Sequence, residues 1–256
     1  MIERARFAPS PTGPLHIGGV RTALFNYLIA KKSGGKFILR IEDTDSKRTI
    51  AGAEDHIKDS LKWLGLNFDE GPIKQSERKI LYKKRAEELL KKGLAYYAFD
   101  SSADLESARK ESNGEFKYNY ETRKNMINSF TVSEEEARNR IERGGYVIRM
   151  VVPEKKTILV NDEIRGSLSF NSHEIEDKVI IKSDGMPTYH FANVVDDNDM
   201  KITSVVRGEE WLSSLPSHVT LYNHFGWSPP KFYHLPLILK STGQGKLSKR
   251  NAEEQG

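Results

Sequence analysis

The chain of 256 residues contains no cysteine. Disulfide bonds and thiolate metal sites, including cysteine-based zinc sites, are therefore excluded. No apolar run approaches the roughly 18 residues that a membrane-spanning helix needs, and the N-terminal residues lack the apolar segment of a secretory signal. We therefore expect a cytoplasmic protein.

The chain also has little excess of either charge sign. Its 40 Lys and Arg residues against 36 Asp and Glu residues give a net charge of +4. Such a balance is only weak support for a polyanionic partner such as nucleic acid. The hydrophobic content of 37% and the charged content of 30% are ordinary for a globular protein. Composition therefore does not indicate a function, and the sequence motifs are needed to predict one.

The N-terminal part of the chain alternates between strand and helix patterns. Residues 4–8 and 36–43 are typical of short buried strands, and residues 18–32 and 53–66 are typical of amphipathic helices. This alternation predicts a parallel α/β sheet. The first helix is predicted to end at a glycine pair. Its residues at helical spacing are Val20, Leu24, Tyr27, Leu28 and Lys31.

The middle of the chain has a different pattern. Residues 76–185 begin with helical segments and continue with short strand-like pieces, which indicates an α+β insertion. Residues 101–129 are highly polar, and this composition predicts mobile loops. The α/β pattern then resumes with strands at residues 202–210 and 232–239. The helix between them is predicted to bury Val219, Tyr222 and Phe225. This order fits a mononucleotide-binding sheet split by an insertion.

The stretch F-A-P-S-P-T-G-P-L-H-I-G-G, residues 7–19, joins the first strand to the first helix. Glycines at a helix N-terminus leave backbone N–H groups available for an anion, and the helix dipole favours one there. Pro9 and Pro11 fix φ and stiffen the turn, and His16 adds a donor for a phosphate. A phosphate site is thus one interpretation. For the histidine and glycines alone, a tight turn with a solvated imidazole is the alternative.

Taken together, several motifs resemble those of class I aminoacyl-tRNA synthetases. The stretch ending in H-I-G-G resembles the HIGH signature in the form used by glutamyl-tRNA synthetases, and G-K-L-S-K-R at residues 245–250 resembles their KMSKS loop. Between them R-I-E-D-T-D, L-K-W-L-G-L, D-E-G-P, Q-S-E-R, K-S-D-G-M-P-T-Y-H-F-A-N-V-V-D-D and R-G-E-E-W-L also resemble the family, in order. The resemblance runs along essentially the whole chain.

The resemblance implies an α/β fold: a class I Rossmann-type parallel sheet split by an α+β connective insertion. Residues 1–75 would form the first half of the catalytic domain, residues 76–185 the acceptor-binding insertion, and residues 186–256 the second half with the KLSKR loop. Relatives continue beyond this loop, whereas only N-A-E-E-Q-G follows here. We therefore expect the anticodon-binding domain to be absent, either because the chain is a fragment or because it is naturally short.

The implied reaction is the ATP-dependent activation of L-glutamate to glutamyl-adenylate and its transfer to the 3′ end of tRNA-Glu, a step of protein biosynthesis. A glutamate pocket must supply cations for the side-chain carboxylate and an anion for the ammonium. Arginine suits the first task because its planar fork pairs with a carboxylate at two points. The resemblance assigns glutamate binding to Arg6, Ala8, Ser10, Glu42, Tyr189, Asn193 and Arg207.

The catalytic residues implied by the resemblance are His16, Lys246 and Lys249. ATP binding is assigned to Gly18, Gly19, Glu210, Trp211 and Leu247. Each assignment has a plainer alternative when the residue is taken alone. Glu42 could be a charge near a helix N-terminus, Tyr189 could be a core residue, and K-L-S-K-R could be a solvated basic tail. The pair Asp196-Asp197 is interpreted as a turn and is given no role in the site.

The expected small-molecule partners are L-glutamate and ATP with Mg²⁺, the metal being held mostly by phosphates and water, and no zinc is expected. The acceptor end of tRNA-Glu is the expected macromolecular partner of a monomer that binds no membrane. A basic helix offers one tRNA surface, although its charges are also those of an ordinary amphipathic helix. Its basic residues are Lys79, Lys83, Lys84, Arg85, Lys91 and Lys92.

Two other functions remain open at this point. One is that of a short paralogue that glutamylates a modified base of tRNA-Asp. That paralogue usually has cysteines in the insertion and a glutamine where Arg250 stands here, so the sequence favours a truncated synthetase. The other is a non-catalytic module that binds tRNA or a nucleotide, against which His16, Lys246 and Lys249 argue. Because family members commonly need tRNA to activate glutamate, we expect the chain alone to bind both substrates but to activate poorly.

Overall fold

A computed structural model describes residues 2–239 of the chain. The strands in this part are β1 Arg4–Phe7, β2 Lys36–Ile41, β3 Glu70–Lys74, β4 Ala95–Ala98, β5 Val147–Met150, β6 Thr157–Asp162, β7 Gly166–Asn171, β8 Val179–Ile181, β9 Ser204–Gly208 and β10 Lys231–Leu235. The helices are α1 Ile17–Lys32, α2 Ala53–Trp63, α3 Lys79–Lys91, α4 Ser102–Glu111, α5 Glu134–Arg143, α6 Tyr189–Asp199 and α7 Leu215–Phe225. No helix among the described residues combines the length and the apolarity that crossing a membrane requires.

Strands from both ends of the described chain form one sheet, in the order β3-β2-β1-β9-β10-β6-β7. All neighbours from β3 to β6 are parallel, and only β6 and β7 are antiparallel. The order β3-β2-β1-β9-β10 is that of a mononucleotide-binding sheet, whose ligands lie at the carboxyl ends of the strands. The predicted α/β fold with a split parallel sheet is therefore confirmed.

The sheet is covered on both faces because its strands are apolar on both sides. Phe37 and Leu39 of β2 pack in a cluster with residues of α1 and α2. Ile38, which points the other way, packs in the cluster that contains residues of α3, α6 and α7. Val219, Tyr222 and Phe225 of α7 are buried as predicted.

The segment between β3 and α6 contributes to two sheets. Strands β4, β5 and β8 form a separate antiparallel sheet. The β6–β7 hairpin instead extends the main sheet, because Asp162 of β6 pairs with Phe232 of β10. Residues of the predicted insertion therefore reach the edge of the main sheet. The exact division at residues 75 and 185 stays a prediction.

The buried face of α1 is made of small side chains and one asparagine. Ala23, Asn26 and Ala30 are buried, whereas Leu24 and Leu28 are 40% and 50% exposed. Helix α1 lies against β1 and β9, and small side chains allow the two backbones to approach. Asn26 is satisfied there because its Nδ2 donates to the carbonyl of Val206 at 3.1 Å. Leu24 and Leu28 share a helical spacing, but they lie outside the face that packs on the sheet.

The polar segment 101–129 also differs from the predicted loops. It begins with α4, whose N-terminus is closed by a capping box: Asp104 N donates to Ser101 Oγ at 3.2 Å, and Ser101 N donates to Asp104 Oδ2 at 2.7 Å. Further along, the side chain of Asn128 is fully buried and donates to the carbonyls of Arg123 and Met126. Polar side chains of this segment thus find their hydrogen-bond partners within the fold. Composition alone does not reveal this.

Candidate active site

The turn between β1 and α1 forms one wall of a cavity. His16 is the N-cap of α1, and Gly18 N donates to its Nδ1 at 3.1 Å. Because Nδ1 accepts, a neutral His16 carries its proton on Nε2. A Cβ at Gly18 would lie 2.9 Å from the His16 ring, and one at Gly19 would lie 2.7 Å from Leu15 Cδ1. The two glycines therefore let the imidazole and the turn lie directly against the helix N-terminus, where an anion is favoured.

The cavity lies at the carboxyl ends of β1, β2 and β9 and has a volume of about 350 Å³. Every predicted site residue within the described part of the chain lines it. These residues are Arg6, Ala8, Ser10, His16, Gly18, Gly19, Glu42, Tyr189, Asn193, Arg207, Glu210 and Trp211. Lys246, Leu247 and Lys249 lie outside the described residues. The geometry thus brings the predicted residues together, while their individual roles stay predictions.

Arg207, at the end of β9, is held by neutral groups. Its Nε donates to His234 Nε2 at 2.9 Å, and its Nη1 lies 3.2 Å from His218 Nδ1 and donates to Tyr189 Oη at 3.3 Å. Its Nη2 is buried and has no hydrogen-bond partner among the described residues. The side chain is in no salt bridge with any described carboxylate. A buried guanidinium with an unused donor and an uncompensated charge is suited to bind an anionic ligand.

Arg6, at the middle of β1, is held differently. Its Nε donates to Asp197 Oδ1 at 3.0 Å, and Arg40 Nη1 donates to the same oxygen at 2.6 Å. Burial alone would raise the pKa of Asp197, but the two arginines outweigh it and lower the pKa. Asp197 is therefore an ionised carboxylate that fixes both arginines beneath the cavity.

Glu42, directly after β2, provides the cavity with a buried carboxylate. Its Oε1 accepts from Arg40 Nη2 at 3.0 Å and from Asn193 Nδ2 at 3.2 Å. Burial raises the pKa of Glu42 despite the opposing effect of Arg40 and Arg6. The first turn of α2 contains its own acidic residues, so the alternative that Glu42 is a charge at that helix N-terminus finds no support. A cationic group in the cavity would relieve the cost of this buried charge.

Aromatic rings cover the outer side of the cavity. The ring of Tyr189, at the start of α6, lies 4.4 Å from that of Trp211, and Trp211 is 40% exposed. Burial raises the pKa of Tyr189, so its hydroxyl remains a neutral donor and acceptor. A Cβ at Gly208 would lie 1.9 Å from Glu210 Oε2, so a side chain there would displace the Glu210 carboxylate. This glycine allows Glu210 to lie close to the backbone.

The interpretation of Asp196-Asp197 as a turn was wrong. Both residues belong to α6 and are almost fully buried. Asp196 accepts hydrogen bonds from Gln75 Nε2 and Tyr82 Oη at 2.8 and 2.7 Å. The sequence held a usable signal for Asp197: Tyr189, Asn193 and Asp197 are spaced by four residues, which places them on one helix face. No such spacing connects Arg207 to the other residues that hold it.

Comparison with known proteins gives matches that cover nearly all of this chain. The family described as tRNA synthetases class I (E and Q), catalytic domain, matches residues 3–255. The glutamate–tRNA ligase of Azobacteroides pseudotrichonymphae is 57% identical over 100% of this chain and 52% of that protein. That of Christiangramia forsetii is 54% identical over 99% of this chain and 52% of its own length.

A solved structure gives the same result. The crystal structure of a glutamate tRNA ligase from Elizabethkingia meningosepticum, in complex with its amino acid, has 51% sequence identity and a TM-score of 0.96. The match covers 100% of this chain and 53% of that chain. The chain thus spans about half the length of the relatives it matches.

Proposed function

The chain belongs to the catalytic-domain family of class I tRNA synthetases for glutamate and glutamine, and we propose that it binds L-glutamate and ATP and forms glutamyl-adenylate. The activated glutamate is then transferred to the hydroxyl at the 3′ end of tRNA-Glu, and AMP leaves. In this proposal residues 1–75 and 186–256 form the two halves of the catalytic domain, and residues 76–185 form the acceptor-binding insertion.

The observation that carries the proposal is that Arg207, which is paired with no described carboxylate, lines the same cavity as the buried carboxylate of Glu42. Free glutamate has two carboxylates and one ammonium. Arg207 and Arg6 supply cations for the side-chain carboxylate, and Glu42 supplies the anion for the ammonium. Tyr189 adds a hydroxyl donor, and the set is completed by Ala8, Ser10 and Asn193. Glutamine lacks the side-chain charge, so it would leave a buried guanidinium without a counter-ion.

The ATP half of the proposal uses the N-terminus of α1. The backbone of Gly18 and Gly19 and the Nε2–H of His16 would contact the phosphates, and Lys246 and Lys249 would add positive charge. Glu210, Trp211 and the backbone of Leu247 would contact the nucleoside. The glutamate α-carboxylate would attack the α-phosphate, and pyrophosphate would leave. The protein aligns the two groups and neutralises growing negative charge, so no covalent protein nucleophile is required.

Mg²⁺ fits this proposal as an ion carried by the nucleotide. Within residues 2–239, no group of three or more His, Asp or Glu side chains is arranged to hold a metal ion. Triphosphate oxygens and water would therefore supply its ligands, and the ion would neutralise phosphate charge. We name no side chain of this chain as its ligand.

Two observations bear on the alternative functions. The relatives described above are named glutamate–tRNA ligases, which favours charging of tRNA-Glu over glutamylation of a base in tRNA-Asp. A non-catalytic module would not need a cavity that combines the N-terminus of α1 with buried groups of both charge signs. Transfer of glutamate to tRNA-Asp but not to tRNA-Glu would contradict the assignment of tRNA-Glu as the acceptor.

Calorimetry with a non-hydrolysable glutamyl-adenylate analogue tests the substrate. We expect the protein to prefer it over the glutaminyl analogue, and we expect Arg207→Ala to abolish the preference. Arg123→Ala is the matched control, because Arg123 pairs with buried Asp177 and does not line the cavity. Equal affinity for the two analogues would contradict the assignment of glutamate. Adenylate formation, measured by ATP–pyrophosphate exchange with tRNA-Glu present, tests the catalytic part.

A further inference from the structure

Three buried side chains from distant parts of the sequence form a line that ends in the cavity. Asp162 is the last residue of β6, and His234 and Arg207 are paired neighbours on β10 and β9. Their exposed fractions are 1%, 0% and 5%. His234 Nδ1 lies 2.6 Å from Asp162 Oδ2, and Arg207 Nε donates to His234 Nε2 at 2.9 Å.

The direction of the second hydrogen bond fixes the proton on His234. A guanidinium only donates, so His234 Nε2 must accept. A neutral imidazole has one donor and one acceptor, which places its proton on Nδ1, facing the Asp162 carboxylate. A doubly protonated ring would put an N–H against the guanidinium. Burial and the charge of Arg207 lower the pKa of His234, in agreement with a neutral ring.

The same argument applies on the other side of Arg207. Its Nη1 lies 3.2 Å from His218 Nδ1, which must therefore also accept. Two neutral imidazoles thus hold the guanidinium without neutralising it. This differs from Arg6, whose counter-ion Asp197 is in direct contact. Holding Arg207 through neutral acceptors fixes its orientation and leaves its charge for a ligand.

We propose that Asp162 and His234 are positioning residues for Arg207. Asp162 selects the His234 tautomer whose Nε2 accepts from Arg207, and this contact holds the guanidinium in one orientation at the cavity that receives the substrate carboxylate. An aspartate that fixes the tautomer of a functional histidine is a known device in active sites. The inference deepens the proposed function and rests on it, because the ligand it serves is the glutamate side chain.

The substitution Asp162→Asn tests this arrangement. Asp162 Oδ1 accepts from the backbone N–H groups of Ile164 and Arg165 at 3.0 and 2.9 Å, so the asparagine oxygen is expected to stay there. The amide NH₂ would then face His234 Nδ1 and force its proton onto Nε2, against Arg207 Nε. We expect at least about tenfold weaker binding of the glutamyl-adenylate analogue, the effect of losing one hydrogen bond to a charged group. ATP binding should be unchanged.

Asp177→Asn is the matched control for the loss of a buried carboxylate. Asp177 accepts from Tyr96 Oη at 2.8 Å and from Val152 N at 2.8 Å, and it does not line the cavity. We expect this variant to lose stability without losing analogue affinity. In an Arg207→Ala background, Asp162→Asn should cause little further loss of affinity, because the two residues act through one interaction. Full additivity of the two losses would contradict the proposal.

Nitrogen-15 NMR of labelled histidine reads the tautomer directly and needs no variant that might not fold. We expect a neutral His234 with its proton on Nδ1 in the unsubstituted chain. A proton on Nε2 would overturn the inference, as would unchanged analogue binding in a folded Asp162→Asn variant. If the unsubstituted chain shows the expected tautomer but no preference for the glutamyl analogue, the proposed substrate fails and the positioning of Arg207 stands.

Discussion

Arg6 donates from Nε to Oδ1 of Asp197 at 3.0 Å, and the two residues are 3% and 2% exposed. Arg40 uses the same carboxylate oxygen, and its Nη2 reaches Glu42 at 3.0 Å. Asp197 on α6 therefore holds Arg6 directly, and it holds Glu42 through Arg40. Strand β1, strand β2 and helix α6 are linked at this point by charge-assisted hydrogen bonds.

We predict that Asp197→Asn lowers the free energy of unfolding by about 3 kcal/mol, because it leaves two buried guanidinium groups with one fewer anion. Urea unfolding measures this loss. Asp199→Asn is the control on the same helix: its carboxylate pairs with Arg78 at the surface and is 46% exposed, so its loss should cost at most about 1 kcal/mol. Equal losses in the two variants would show that Asp197 is not a structural counter-ion.

Glu42 leads to a prediction about binding and pH. Burial raises its pKa in the free protein, whereas a ligand ammonium binds only the ionised form. We therefore expect the affinity for the glutamyl-adenylate analogue to fall as the pH is lowered from 7.5 towards 5. Glu42→Gln should bind about 10- to 100-fold more weakly at neutral pH, the effect of losing one charge-assisted hydrogen bond, and its affinity should depend less on pH. Calorimetry at several pH values measures both.

A ligand control separates this effect from general damage to the cavity. An analogue without the amino group has no ammonium for Glu42 to bind. We expect Glu42→Gln to bind this analogue at least as well as the unsubstituted protein does. Equal losses of affinity for both analogues would mean that Glu42 shapes the cavity without contacting the ammonium.

The sequence pattern was sufficient for a parallel α/β sheet split by an insertion, and the resemblance to class I synthetases supplied the cavity residues within the described part of the chain. Apolar strands alternate with helices, and the motifs lie at strand ends and helix starts, where a parallel sheet brings them together. The sequence was not sufficient for the face of α1, because close packing against the sheet selected Ala23 and Ala30 over the larger Leu24 and Leu28. Hydrophobicity alone does not distinguish these positions.

The residues that hold the arginines were harder to predict for a different reason. His234 meets Asp162 across a sequence separation of 72 residues. Their contact depends on the pairing of β6 with β10, which no local pattern specifies. The position of Asp197 near the cavity could have been predicted, because its spacing from Asn193 and Tyr189 is helical. Polar residues of α4 likewise carried a local signal, since Ser101 and Asp104 have the spacing of a capping box.

Two adjacent glycines before β2 should respond differently to alanine. Gly34 has φ +69° and open space around its Cβ direction, so Gly34→Ala should cost about 1 kcal/mol through backbone strain alone. A Cβ at Gly35 would lie 1.8 Å from the carbonyl oxygen of Glu3, the acceptor of the Lys36 N–H at 3.1 Å. Gly35→Ala should therefore cost about 3 kcal/mol, because the backbone leading into β1 must move. Urea unfolding compares the two, and a smaller loss for Gly35→Ala would contradict this reason.

His190 is a buried histidine beside the residues that hold Arg207. Its Nδ1 lies 3.3 Å from His218 Nε2. Burial, together with the charges of Lys178 and Arg207, lowers the pKa of His190 to about 4, although Glu176 acts in the opposite direction. In the unfolded chain the imidazole regains its ordinary pKa of about 6.5. Between these values the unfolded state binds a proton that the folded state does not.

The free energy of unfolding should therefore fall as the pH is lowered from 6.5 to 4, with His190 contributing at most about 1.4 kcal/mol per pH unit. His190→Gln removes this contribution, so we expect its stability to depend less steeply on pH in this range. His56→Gln is the matched control for the loss of an imidazole, because His56 is exposed on α2. Urea unfolding at half-unit pH steps measures the slopes. If His190→Gln keeps the slope of the unsubstituted protein, His190 takes up a proton in the folded state, and the imidazoles around Arg207 are not all neutral in acid.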